Sequence, residues 1–122
     1  MKQGDFKFEK LKVWEKAIEL SNEIHVMTRE WPKEELYILT SQIKRATDSI
    51  SLNIAEGSTG QSNPEFRKFL GYSSRSALEV VNCLYLAKGR DLIDQKTFGE
   101  KYEVLTEIIK MIFGLRNAIG KN

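Results

Sequence analysis

From Leu11 onward, core-type positions return every third or fourth residue, at Trp14, Ala17, Ile18, Ser21, Ile24, Met27 and Trp31. That spacing gathers them on one face of a helix and leaves Lys12, Glu15, Lys16, Glu19 and Glu23 on the other. Trp31-Pro32 ends the run, because proline has no N–H to donate and pushes its predecessor out of the helical region. A second stripe, Leu36, Leu39, Ile43, Thr47, Ile50 and Ile54, begins behind Glu34 and Glu35, which oppose the positive end of a helix dipole. Gly57 is its expected C-terminal stop.

Ser58-Thr59-Gly60-Gln61-Ser62 is a turn-forming run, and Asn63-Pro64-Glu65 reads as N-cap, first-turn proline and first-turn carboxylate of a third helix. Its stripe is Phe66, Phe69, Leu70, Ser73, Ala77, Val80, Leu84 and Ala87. Ser73, Ser76 and Ala77 make the middle of that stripe small enough for close helix approach, with a large side chain such as Trp14 filling the remaining space. Gly89-Arg90-Asp91 breaks the helix, and Asp94 is placed to cap a fourth with Phe98, Tyr102, Leu105, Ile108, Ile109, Ile112, Leu115 and Ile119 as its stripe.

The pattern predicts helices over about 10–30, 34–56, 64–88 and 95–119, with no competing strand alternation, repeat or low-complexity tract. Short connections make sequential helices antiparallel, so the expected fold is all-α, an up-down-up-down four-helix bundle occupying residues 1–122 as one domain. Tyr72, Val81, Tyr85, Val104 and Phe113 exceed what one inward stripe per helix needs. They are the candidate subunit interface.

Composition narrows the chemistry. Hydrophobic residues are 41% and charged residues 30% of 122, which suits a folded chain with apolar stripes and charged faces. No window reaches the roughly 18 apolar residues of a membrane span, and the first ten residues lack the apolar core of a secretory signal, so a cytoplasmic location without membrane partners is expected. Cys83 and His25 are the only residues of their types, which excludes an intrachain disulfide and a thiolate zinc site. Net charge is +2, composed of −1 over residues 1–61 and +3 over residues 62–122.

The segment Ser49-Ile50-Ser51-Leu52-Asn53-Ile54-Ala55-Glu56-Gly57, then Ser62 and Glu65-Phe66-Arg67-Lys68-Phe69-Leu70, resembles the hallmark of the bacterial four-helix bundle proteins encoded in 23S ribosomal RNA intervening sequences. Phe8 to Trp14 and Leu39 to Ala46 match the same pattern. The resemblance implies a small bundle assembling into a ring, often of five subunits, because that family is similar to the accessory variability protein of diversity-generating retroelements. It also implies association with RNA or DNA and with reverse transcriptase or another protein.

Lys44, Arg45, Arg67, Lys68, Arg75, Lys88 and Arg90 are the candidate phosphate contacts, which a ring would repeat into a multivalent surface. Ordinary solvated helix faces account for them equally, with pairs Lys44/Asp48, Arg75/Glu79 and Glu65/Lys68 at helical spacing. Asn53 reads as a packing residue, bonding a neighbouring helix or capping its own, with Glu56 and Glu79 completing a polar network at that end. Enzyme readings fail for want of parts. A di-metal bundle needs two Glu-x-x-His pairs, yet Asn22 precedes His25 by three; Gly57-Ser58-Thr59-Gly60 lacks a preceding strand and a following Gly-Lys-Ser/Thr.

Cys83 reads as an inert core thiol, and Trp14 and Trp31 as core and cap packing. No catalytic residue, metal site or cofactor is expected. The primary expectation is a non-enzymatic, homo-oligomeric, nucleic-acid-associated accessory protein. The alternative is a protein-interaction or structural oligomer that binds no nucleic acid, and a third reading is an enzyme using Glu56 and Glu79 with groups from a partner subunit.

Overall fold

The structure is a computed structural model that describes residues 1–120. Four helices form the bundle: α1 (Lys12–Thr28), α2 (Ser41–Ser58), α3 (Asn63–Gly89) and α4 (Gln95–Ile119). A short 3₁₀ turn, Lys7–Lys10, precedes α1, and no strand occurs among the described residues.

Paired contacts fix the directions. Ser73 donates to the Ile50 carbonyl and Gln42 to Glu79, so advancing along α3 means retreating along α2. Arg67 reaches Arg116 while Tyr85 packs on Phe98, which sets α4 antiparallel to α3. Lys16 pairs with Glu107 and Lys101 with Glu23, closing α4 back onto α1. The result is the up-down-up-down bundle the apolar periods predict.

Leu20, Ile24, Ile43, Ile50, Ile54, Leu70, Leu84, Leu105, Ile108 and Ile112 are fully buried in a single core cluster. On α1 the buried arc differs from the expected stripe: Val13 and Leu20 lie inside, while Trp14 and Ile18 are half-buried at its edge. The helix meets both α2 and α4, so it buries a broader arc than one narrow seam. Trp14 packs against Phe8 of the N-terminal turn, ring centroids 5.0 Å apart, and against the edge of the core cluster.

Between α1 and α2 the chain does not start a regular helix at Lys33. It makes a 3₁₀ turn, Lys33–Glu35, then a π-helical turn, Leu36–Thr40, before α2 begins. Leu36, Tyr37 and Ile38 are exposed on that turn, and only Leu39 and Thr40 enter the core.

Gly57 is a close-packing residue, not a left-handed stop. A Cβ there would lie 2.5 Å from the Phe69 Cβ, and α2 continues to Ser58. Bare backbone at Gly57 is what lets α2 and α3 converge at the turn. Ser62, not Asn63, caps α3 by accepting from the Glu65 N–H at 3.2 Å; Asn63 instead donates to the Ile119 carbonyl. Asp94 caps α4 by accepting from the Thr97 N–H at 2.8 Å, a bond that holds its carboxyl below the usual range.

Candidate nucleic-acid interface

The seven candidate basic residues fall into three groups. Lys44 and Arg45 stand on the outer side of α2, where Arg45 donates to Ser41. Lys88 and Arg90 lie at the far end of α3, about 30 Å along the helix from Arg67. Lys88 sits 4.7 Å over the Phe98 ring and Arg90 pairs with Glu35 at 2.8 Å, so both are engaged within the fold.

Arg67, Lys68 and Arg75 converge. They line an open groove of about 590 Å³ over the first half of α3, together with Pro64, Gly71, Tyr72, Ser74 and Arg116. The i, i+4, i+8 spacing of Arg67, Gly71 and Arg75 stacks them along one ridge, and the missing side chain at Gly71 leaves a hollow between two guanidinium groups. A Cβ at Gly71 would meet nothing within 4 Å. Lys68 lies over the Tyr72 ring at 5.9 Å, a weak cation–π contact that leans the ammonium along the groove wall.

Arg116 is the member that sequence periodicity passed over. It lies 49 residues beyond Arg67, and its place became visible only when α4 folded back along α3, where Arg67 donates to its main-chain carbonyl. Its Nε is buried without a hydrogen-bond partner among the described residues.

The groove therefore holds four cations and no carboxylate in its wall. None of the four enters an ion pair among the described residues. The helical-spacing pairs do not form: Asp48 lies 3.2 Å from His25, and Glu79 accepts from Gln42. Four like charges sharing one wall repel each other, and a bound polyanion relieves that repulsion.

The Asn53–Gly57 motif lies in the last turns of α2. Asn53 donates to the Ser49 carbonyl of its own helix at 2.9 Å, so it fixes no neighbouring helix. Ile54 is buried, Ala55 half-buried and Glu56 exposed, while Gly57 packs on Phe66 and Phe69. Glu79 stands opposite Gln42, near the other end of α2 and about 20 Å of helix away from Glu56, so the two carboxylates form no joint network. No cluster of three metal-ligating side chains occurs among the described residues.

Of the candidate interface residues, Tyr72, Tyr85 and Phe113 are exposed, whereas Val81 and Val104 are half-buried against the core. Leu78 and Tyr102 join the exposed apolar surface of α3 and α4, with Tyr85 and Tyr102 rings 6.5 Å apart. Cys83 is buried, and burial pushes its thiol up to about 11, with Glu79 adding to the shift. That is the environment of an inert thiol.

No helix among the described residues is long and apolar enough to cross a membrane. A comparison with curated proteins finds none that matches. A solved structure described as a protein with unknown function from the S23 ribosomal protein family of Bacteroides thetaiotaomicron is similar in fold, with a TM-score of 0.79 at 24% identity, over 86% of this chain and 95% of that one. The family model for 23S rRNA-intervening sequence protein matches residues 9–114, and neither likeness indicates an enzyme family. That match runs from the turn before α1, through the Asn53–Gly57 motif and the α3 side of the groove over Gly71, into α4, and the chain therefore belongs to the 23S rRNA-intervening sequence protein family.

Proposed function

We infer that this protein is a non-enzymatic, homo-oligomeric bundle that associates with nucleic acid by its phosphates, at the groove over Gly71. The observation that carries this reading is the convergence of Arg67, Lys68, Arg75 and Arg116 on one wall without a carboxylate. Arg67 and Arg75 are about 12 Å apart along α3, and duplex DNA carries a charge every ~1.7 Å of axis, so one groove faces several phosphates at once. Guanidinium groups suit this task because their fork of donors bonds phosphate oxygens in pairs. Nothing in the groove distinguishes base edges, so binding is expected to be weakly selective for sequence.

A net charge of +2 gives one subunit a weak field, and repetition of the groove by self-association would multiply its avidity. The exposed Leu78, Tyr85, Tyr102 and Phe113 supply apolar surface for that association. The same surface favours a second reading, in which those residues capture another polypeptide and no nucleic acid is bound. A salt titration with RNA and DNA duplexes separates the two. The first reading expects binding at low ionic strength that weakens steeply with added salt, and absence of binding there overturns it.

A further inference from the structure

At the opposite end of the bundle from the Gly71 groove, where α1 passes into α2, lies a second hollow of about 450 Å³. Its lining sorts the local charge. The connecting segment reads Arg29-Glu30-Trp31-Pro32-Lys33-Glu34-Glu35, with two bases and three acids, yet of these charged residues only Arg29 and Lys33 line the hollow. Glu35 turns away to Arg90 at 2.8 Å, and Glu30 and Glu34 are exposed outside it. Lys44 enters from α2, His25 from α1, and the lining contains no carboxylate; the nearby Asp48 lies 3.2 Å from His25.

The negative end of the α1 dipole accounts for His25 and Arg29 but not for Lys33 and Lys44, which other elements bring in. Trp31 forms part of the wall. It is 8% exposed, and its indole N–H is buried without an acceptor among the described residues. That N–H has essentially no surface open to the hollow, so the indole reports on what occupies the hollow and does not bond to it. Around it stand the hydroxyl residues Thr28 and Thr40, both buried, with Pro32 and Leu36 giving the hollow an apolar side.

We propose that this hollow binds a small phosphate-bearing molecule, held by Arg29, Lys33 and Lys44, against a wall formed in part by Trp31. The apolar side contributed by Pro32 and Leu36 receives the organic body of the ligand. This site is separate from the Gly71 groove and does not depend on its function.

Inorganic phosphate is the probe, titrated into the full-length nitrogen-15-labelled protein at constant ionic strength held with chloride. The two indole N–H signals are assigned with Trp14→Phe, which leaves Trp31 alone. The expected result is a saturable shift of the Trp31 signal. Affinity falls about tenfold or more in Lys44→Ala and in Arg29→Ala, as expected for loss of one charge-assisted bond, and holds in Arg67→Ala/Arg75→Ala. Lys33→Ala replaces either variant whose amide spectrum shows loss of fold. A Trp31 signal that does not move, that moves equally with chloride, or that titrates alike in the native protein and Lys44→Ala overturns the proposal. A response to an oligonucleotide but not to phosphate also overturns it, assigning the hollow to a polymer backbone.

Discussion

Arg67 on α3 donates from its guanidinium to the main-chain carbonyl of Arg116 on α4, so the residue that ties the two helices together also gathers a second guanidinium into the same groove. The bond makes the groove a product of the α3–α4 register. Any change that slides α4 along α3 separates Arg67 from Arg116.

Gly71 is the floor of that groove, with open space above it. Gly71→Glu introduces a carboxylate among four cations, with its Cβ in open space. It should leave the helical circular dichroism spectrum intact while abolishing duplex binding. Retained affinity in this variant would place phosphate binding elsewhere.

Two glycines in one protein give opposite stability outcomes. Gly71→Ala fills empty space in a helix interior and is expected to stabilise by about 0.5–1 kcal/mol through reduced backbone freedom. Gly57→Ala places a Cβ 2.5 Å from the Phe69 Cβ, an atom fixed to the α3 backbone, and is expected to cost about 1–3 kcal/mol. Urea unfolding of both variants beside the native protein measures the difference. Equal midpoints would contradict the role given to Gly57.

Much of this architecture was legible in the chain, because the breaks at Trp31-Pro32 and Gly89-Arg90-Asp91 and the Asp94 cap rest on local backbone chemistry. The π-helical turn at Leu36–Thr40 was not, since Leu36 and Leu39 keep helical spacing whether the turn is regular or widened. Ser62 and Asn63 are both good caps one residue apart, and only the hydrogen bond to Glu65 chooses between them. Of the groove, Arg67, Lys68 and Arg75 were readable as one helix face. Arg116 was not, because a long-range register has no local signal.

The Cys83 thiol sets a direction for stability at alkaline pH. Its folded value, about 11, lies above its ordinary 9.0, so the folded state holds the proton more tightly than the unfolded state. The stability this contributes is complete below about pH 9 and is lost as pH rises toward 11. Urea midpoints of the native protein minus those of Cys83→Ala should therefore shrink between those limits. A constant difference across that range contradicts the buried-thiol account.

Tyr85 and Phe113 are exposed on the surface proposed for self-association. Tyr85→Asp/Phe113→Asp removes apolar area and adds two like charges per subunit, so sedimentation should show it shifted toward monomer at concentrations where the native protein is larger. A native protein that is already monomeric at micromolar concentration would remove the multivalent part of the proposal.

The most direct test of the phosphate-binding groove is the salt dependence of duplex affinity for the native protein beside Arg67→Ala/Arg75→Ala. Each lost phosphate contact lowers the slope of log K against log salt by ~0.9, so the double variant should bind more weakly and with a slope shallower by about 1.8 for each subunit that engages the duplex. Identical slopes for the two proteins would mean that these arginines meet no phosphate, and the central claim would fall.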